Sequence, residues 1–186
     1  VVVVFMWLVG YIVIKGLPYL SPRLFEWEYS TENVSMLPAI VITVLMVVLA
    51  LLFAAPVGMG AAIYLVEYAR KGSRLVSLVR LTTESLAGIP SIVYGLFGFL
   101  LFVVACGMGF SILGGALTLA VMVLPLIMRT TEEALKSVPD SWREGSFALG
   151  AGRLRTIFRV VLPAAVPGIL SGVILSIGRI VGESAA

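Results

Sequence analysis

Long uncharged segments divide the chain into predicted membrane helices. Residues 33–66 contain no Asp, Glu, Lys or Arg, which predicts one crossing of roughly 25 residues with Pro38 in its first turn. Residues 85–128 are also uncharged, and 44 residues are too many for a single crossing. A cluster of glycines near the middle predicts a turn, so this segment should form a helical hairpin. The glycines are Gly107, Gly109, Gly114 and Gly115.

The two ends of the chain each add one predicted helix. Residues 1–14 are apolar but shorter than the ~20 residues of a complete crossing. A signal-peptide core is the alternative, but no basic residue precedes this segment and no small-residue cleavage site follows it, so we expect a truncated first helix. A fifth helix begins with residues 163–178. We expect a single transmembrane domain, residues 1–186, that is a fragment with five visible helices and a sixth beyond its C-terminal end.

Composition supports this interpretation. Hydrophobic residues make up 60% of the chain and charged residues 12%, with a mean hydropathy of +1.12. A soluble domain could not cover this many apolar residues with a polar surface. The expected fold class is all-α, a polytopic transmembrane helical bundle. Histidine is absent and Cys106 is the single cysteine. We therefore expect no catalytic site, no cofactor and no metal site.

Basic residues cluster in two of the predicted loops. Four lie in the loop after the second helix and six in the loop after the fourth, so ten of the thirteen fall on one side. They are Arg70, Lys71, Arg74 and Arg80, and Arg129, Lys136, Arg143, Arg153, Arg155 and Arg159. Because Lys and Arg collect in cytoplasmic loops, we expect a cytoplasmic N-terminus.

The remaining charges agree with this topology. Near residues 17–37, the opposite loop has more acidic than basic residues. The acidic ones are Glu26, Glu28 and Glu32, and the basic ones are Lys15 and Arg23. No aromatic platform or groove-reading motif accompanies the net charge of +3, so we do not expect nucleic acid as a partner.

The basic segment at residues 132–162 has the pattern of a folded cytoplasmic loop. Ser141 and Glu144 have capping-box spacing, which predicts a helix starting at Trp142, and Gly150 is suited to end it. A second short helix fits Arg153 to Leu162. Its apolar face would contain Leu154, Ile157, Phe158 and Val161. Two roles suit such a helix-turn-helix: lying on anionic lipid headgroups, or docking into another protein.

One face of the fifth predicted helix changes from small to charged residues. The face contains Gly168, Gly172, Ser176, Arg179 and Glu183. Gly168 and Gly172 have a spacing that permits close approach of another helix. Charged residues in a membrane segment normally face a protein interior or a watery cavity. Arg179, Glu183 and Ser176 are therefore candidates for a path across the membrane, with a purely structural ion pair as the alternative.

The first arm of the hairpin suggests two further features. Pro90, directly after Gly88 and Ile89, predicts a kink. Arg80 and Glu84 are four residues apart and should form an ion pair on the surface. We assign neither of these charges a role in transport.

The helix-turn-helix carries a recognisable motif. Its sequence E-G-S-x-x-x-G, then nine residues, then V-x-L-P resembles the cytoplasmic loop of the inner-membrane permeases of ABC importers, usually E-A-A-x-x-x-G and I-x-L-P. The resemblance implies a type I permease fold in which a coupling helix docks on a cytoplasmic ATPase dimer. The matching residues are Glu144, Gly145, Ser146, Gly150, Val160, Leu162 and Pro163. Glu144, Gly145, Ser146 and Gly150 would make the contact.

Three further stretches are similar to the phosphate importer permeases of the Pst system. They are YLVEYARKGS, ESLAGIPSIVYGLFG and SIGRIVGESAA. Their order and spacing favour the PstA-type subunit, and a companion PstC-type permease or a permease for another oxyanion is the alternative. A membrane anchor or signalling subunit that transports nothing is the alternative from a different class.

The resemblance also implies partners and a division of labour. The implied partners are a second homologous permease subunit, an extracytoplasmic phosphate-binding protein and membrane lipid. None of the three lysines has the glycine before it that a Walker A loop requires, so ATP hydrolysis would belong to the ATPase and not to this chain. The Arg179 guanidinium would suit phosphate oxygens. It lies about 24 Å along the helix from Pro163, so an outer gate fits as well as a central site.

Overall fold

The computed structural model describes residues 2–19, 22–28, 35–70 and 72–183. Every regular element in these ranges is a helix, which confirms the predicted all-α fold class. Two charges of the predicted loops, Glu32 and Lys71, lie outside the described residues, as does the sixth helix expected beyond the chain. The chain divides into two compact units, residues 1–45 and 46–186, with the boundary inside one helix.

The first unit consists mainly of helix α1. This helix covers Val2–Gly16 and is followed by two 3₁₀ turns, Leu17–Tyr19 and Pro22–Phe25. None of the described residues of α1 is buried, and Trp7 stacks on Tyr11 with 5.8 Å between ring centroids. A helix this apolar and this exposed is suited to a lipid environment.

Helix α2 contains the boundary between the units. It covers Leu37–Ile63 and continues as a π-helical turn, Tyr64–Tyr68. Pro38 lies in its first turn, as predicted, and Pro56 lies inside the helix without ending it. The helical stretch is 32 residues long, which is longer than the predicted crossing because it continues past the uncharged segment to Glu67 and Tyr68.

The remaining helices belong to the second unit. They are α3 (Arg74–Ala87), α4 (Ser91–Gly98), α5 (Ile112–Lys136), α6 (Asp140–Ala148), α7 (Arg153–Thr156) and α8 (Leu162–Gly182). Among the described residues, four helical stretches are long and apolar enough to cross a membrane, or five if the bent pair of α3 and α4 forms one crossing. The sequence-based expectation of five corresponds to the second count.

The kink expected at Pro90 is a sharp corner of 103° between α3 and α4. Helix α3 ends at Ala87, where the Gly88 amide donates to the Ser85 carbonyl, 3.2 Å away. The Tyr94 hydroxyl donates to the Leu86 carbonyl, at 2.8 Å. Because a proline disfavours helical backbone in the residue before it, α4 starts again only after Pro90.

The hairpin turn uses only two of the four glycines predicted for it. Gly107 and Gly109 have positive φ angles of 64° and 62° and lie between the π-helical turn Phe99–Ala105 and helix α5. Gly114 and Gly115 lie inside α5 instead. A Cβ on Gly115 would be 2.7 Å from the Met46 side chain, so this glycine permits close packing and makes no turn.

Helix α5 forms the centre of the second unit. Its buried side chains contribute to both apolar clusters of the unit, and it packs most extensively against α8. A Cβ on Gly58 of α2 would be 3.0 Å from Ile127 of α5, so these two helices also approach closely. Helices α2 and α8 thereby both pack closely against α5.

The predicted second helix of the loop is not a separate element. A π-helical turn, Ile157–Val161, joins α7 to α8, so the chain is helical from Arg153 to Gly182. Pro163 follows this wide turn after one residue, Leu162. The proline is therefore accommodated inside a continuous helix and does not start a new one.

Candidate functional site

Helix α6 and the two short connections around it form the α6 segment, residues 137–152, between α5 and α7. The helix starts at Asp140 with Pro139 as its N-cap, and no side chain caps it. The predicted capping box of Ser141 and Glu144, with a start at Trp142, is therefore wrong. Pro139 fixes the backbone at this end without needing an N–H of its own.

Gly150 ends α6 as the sequence predicts. Its φ angle is +82°, a left-handed conformation that costs other residues energy. The Gly150 amide donates to the Phe147 carbonyl, at 2.9 Å, and the Ala151 amide donates to the Ser146 carbonyl, at 3.1 Å. These two bonds form a Schellman motif, which satisfies the last carbonyls of the helix and turns the chain toward α7.

The α6 segment exposes much of its surface. Glu144 and Gly145 are exposed, and nothing lies within 4 Å of a Cβ placed on Gly145. Trp142, Phe147 and Leu149 are exposed too, the last to 90%. Apolar side chains gathered on an outer surface of a protein are typical of a contact site.

The start of the following helix differs from its predicted amphipathic pattern. Ile157 and Val161 are buried, whereas Leu154 and Phe158 are exposed to 64% and 57%. The π-helical turn changes the angular spacing of these side chains, so an α-helical period predicts the wrong face. Leu154 and Phe158 instead add to the exposed apolar surface at this end of the second unit.

The other matched positions of the motif lie at the base of the segment. The Ser146 hydroxyl is 2.8 Å from the hydroxyl of buried Thr156. Ser146 therefore links α6 to α7 and is only partly exposed. Val160 and Leu162 are half-buried in the continuous helix, and Pro163 is exposed.

An ion pair that the sequence analysis missed holds α6 against the end of α2. Arg143 of α6 donates through Nη2 to Glu67 Oε1 at 2.9 Å, with side chains only 13% and 9% exposed. The same guanidinium donates to the carbonyls of Val138 at 2.7 Å and Leu135 at 2.9 Å. The partners are 76 residues apart in sequence. The sequence feature that could have indicated this pair is Glu67, an acidic residue directly after an uncharged segment.

Arg153 also contacts the π-helical turn Tyr64–Tyr68 that continues α2. Its guanidinium donates to the Glu67 carbonyl and lies 5.1 Å from the centre of the Tyr68 ring. Both helices that flank the turn at Gly150 are therefore attached to the π-helical turn Tyr64–Tyr68.

Glu132 of α5 forms a second charge cluster nearby. Arg80 and Lys136 each approach its Oε1 to 2.6 Å, and the Glu132 side chain is only 10% exposed. Arg80 therefore pairs with Glu132, and the predicted surface pair with Glu84 is wrong. Sequence spacing identifies pairs within one helix, whereas this pair connects α3 to α5.

The small residues of α8 lie where α5 comes closest. A Cβ on Gly168 would be 2.6 Å from the Ala134 Cβ, and one on Gly172 would be 2.7 Å from the Thr130 Cβ. Ser176, one turn further, is fully buried and donates to the Gly172 carbonyl at 2.9 Å. Ser176 thus lies within the packed part of the bundle.

The two charged residues predicted on this face lie at the end of α8. Arg179 is half-buried in the last turn and lies close enough to Tyr94 of α4 for a Coulombic interaction. The helix ends at Gly182, and Glu183 has an extended backbone with ψ at 119°. The sequence analysis predicted that Glu183 continues the helical face. The structure contradicts this, because the helix ends one residue earlier.

The fold and the site define a class: a polytopic α-helical membrane protein with a folded helical segment between two membrane-length helices. Residues 54–186 match the family described as "Binding-protein-dependent transport system inner membrane component". The chain belongs to this family, which confirms the predicted resemblance to importer permeases.

Individual relatives support the same classification. The phosphate transport system permease protein PstA of Mycobacterium leprae (strain TN) is 40% identical over 96% of this chain and 60% of its own length. The probable ABC transporter permease protein YqgI of Bacillus subtilis (strain 168) is 43% identical over 73% of this chain and 46% of its own. The chain thus spans about half the length of the curated relatives it matches.

A solved structure shares the fold. The MetNI methionine ABC transporter in inward-facing conformations has a TM-score of 0.63 at 23% identity, over 79% of this chain and 68% of that chain. At this identity the likeness concerns the fold alone.

Proposed function

We propose that the full-length protein is a membrane-spanning permease subunit of an ATP-driven importer of inorganic phosphate. The substrate is suggested by the PstA relatives, which match almost the whole chain. The protein would lie in the cell membrane with a cytoplasmic N-terminus. ATP hydrolysis would belong to a separate ATPase dimer. A second permease subunit would complete the path, and a binding protein would deliver phosphate.

The observation that carries the coupling role is the attachment of exposed α6 to the bundle. Glu144, Gly145 and Gly150 would contact the ATPase, with Ser146 holding α6 against α7. The nearly buried pair of Arg143 and Glu67 joins α6 to the end of a membrane-length helix. A push on α6 would therefore be transmitted to the π-helical turn that continues α2, because the nearly buried ion pair joins the two elements.

We further propose that Arg179 contacts the anion during its passage. A guanidinium offers paired donors that match phosphate oxygens, and Arg179 is half-buried at the end of α8. Glu183 and Ser176 would assist, Glu183 by limiting how tightly the anion is held. Gly168 and Gly172 would keep α8 packed on α5.

Purification of the full-length chain from its native membrane in mild detergent tests the class. We expect a P-loop ATPase, a second permease and a phosphate-binding protein to be recovered with it. Recovery without an ATPase, under conditions where other membrane complexes stay intact, would contradict the permease role and favour an anchor or signalling subunit. Recovery with a binding protein for another oxyanion would contradict phosphate alone.

The role of Arg179 is tested separately by phosphate uptake. An Arg179→Gln variant that still inserts and assembles should lose most of its uptake. The matched control is Arg74→Gln, which removes the same charge from an exposed position at the start of α3. Equal uptake by both variants would remove Arg179 from the path while leaving the permease role intact.

A further inference from the structure

A cavity of about 730 Å³ lies beside the α6 segment. Its lining residues come from the π-helical turn Tyr64–Tyr68 and the connection that follows it, from α3, α5 and α6, and from Arg153 at the start of α7. All of these residues belong to the second unit. The cavity is separate from Arg179 and Ser176, which do not line it.

The lining of this cavity is strongly basic. Its cationic residues are Arg70, Arg80, Lys136, Arg143 and Arg153. Arg143 pairs with Glu67 and Asp140, while Arg80 and Lys136 share Glu132. The five cations thus have three carboxylates as ion-pair partners, which leaves an excess of two positive charges.

Two of the cations account for the excess. Arg70 is exposed and forms no ion pair with any described residue. Arg153 contacts a backbone carbonyl and the Tyr68 ring but no carboxylate of the described residues. Both guanidinium groups keep donors for an anion, and arginine donors in parallel pairs match the oxygens of a phosphate group.

We propose that this cavity binds a phosphate group through Arg70 and Arg153. Two sources carry this chemistry: free inorganic phosphate, and the headgroup of an anionic phospholipid. Basic pockets between membrane helices on the cytoplasmic side suit such headgroups, and the cavity lies on the predicted cytoplasmic side. The inference does not depend on phosphate import, because it concerns residues outside the proposed path.

The test compares two charge-matched double variants of the full-length chain. Arg70→Gln with Arg153→Gln alters the cavity. Arg74→Gln with Arg155→Gln removes two exposed arginines that do not line it. Both proteins also carry Arg179→Gln, so that binding at the proposed path does not contribute. Their unfolding midpoints without any probe show whether each variant folds, and Arg70→Gln alone serves if the cavity variant does not.

Binding is measured as the rise in unfolding midpoint that a ligand of the folded state produces. One arm titrates inorganic phosphate against chloride of equal ionic strength in neutral detergent. The other compares phosphatidylcholine nanodiscs with and without phosphatidylglycerol. We expect the cavity variant to bind at least one probe about tenfold more weakly than the control variant, since each lost guanidinium removes charge-assisted hydrogen bonds.

The pattern of responses identifies the source. A loss of response to inorganic phosphate assigns the cavity to the free ion, and a loss confined to the phosphatidylglycerol discs assigns it to lipid. Equal responses of the cavity and control variants in both arms would overturn the proposal, and so would the absence of any stabilisation by either probe. Neither result would bear on the proposed permease role.

Discussion

At the scale of single residues, the crossing of α5 and α8 depends on the absence of a side chain. Gly172 lies against Thr130, and an added Cβ would overlap the Thr130 side chain. We expect Gly172→Ala to lower the free energy of unfolding by about 1–3 kcal/mol, because the helices must move apart. The unfolding midpoint of the full-length chain in detergent measures this.

Gly178→Ala is the control on the same helix. Nothing lies within 4 Å of a Cβ at this position, so the better helix propensity of alanine should raise stability by up to ~1 kcal/mol. Opposite signs for the two variants are expected. A Gly172→Ala protein as stable as Gly178→Ala would mean that the close approach of α5 and α8 is incorrect.

The ion pair of Arg143 and Glu67 is the second prediction at this scale. Both side chains are nearly buried, and without Glu67 the Arg143 guanidinium keeps only the exposed carboxylate of Asp140 as a counter-charge. We expect Glu67→Gln to destabilise the protein by about 3 kcal/mol. Chemical unfolding of the full-length chain measures the loss.

Glu133→Gln provides the comparison, because the pair of Glu133 with Arg129 is exposed to 64% and 62%. An exposed pair contributes at most ~1 kcal/mol. Similar losses for Glu67→Gln and Glu133→Gln would show that α6 is not held by a buried charge pair.

At the scale of elements, the turn after α6 fixes the direction of the α6 segment. Gly150 has a φ angle of +82°, and an L-residue pays roughly 1–2 kcal/mol to adopt it. We therefore expect Gly150→Ala to raise the hydrogen-exchange rates of the last α6 amides about tenfold. Hydrogen exchange followed by mass spectrometry measures this.

Gly152→Ala is a matched control two residues later. Its φ angle is −74°, and a Cβ there meets nothing within 4 Å. Exchange in α6 should remain unchanged in this variant. If both substitutions accelerate exchange equally, the left-handed turn is not what holds α6 in place.

Elements governed by local composition were predictable from the sequence. The uncharged run to Met128 indicated a hairpin, and the left-handed glycines Gly107 and Gly150 were identified as turn and helix end. Elements governed by packing could not be predicted from the sequence. Gly115 looked like a turn residue but lies against Met46, and Pro163 looked like a helix start but follows a π-helical turn.

The candidate site shows the same limit. The motif from Glu144 to Pro163 was visible because its residues are close in sequence. Arg143 and Glu67, which attach this motif to the bundle, are 76 residues apart. Pattern reading compares positions within one helix, and it therefore paired Arg80 with Glu84, whereas tertiary packing gives Arg80 to Glu132.

At the scale of the molecule, charge separates the two ends of the second unit. The α6 segment and the helix ends around it carry the basic cavity. The hairpin turn, residues 106–111, contains no charged residue. Because basic residues are retained on the cytoplasmic side, this asymmetry predicts that the hairpin turn lies outside the cell.

Cys106 makes this orientation testable without inserting a tag. It is exposed at the start of the hairpin turn. In a full-length protein with no other cysteine, a membrane-impermeant maleimide should therefore label it in intact right-side-out vesicles. In a second protein, Cys106→Ser combined with Ser141→Cys moves the thiol to exposed α6, where labelling should require inverted or opened vesicles.

The reverse pattern would place α6 outside the cell, out of reach of any cytoplasmic ATPase, and would contradict both the predicted topology and the proposed coupling role. Labelling of both sites from one side would contradict the crossing by α5 that separates them.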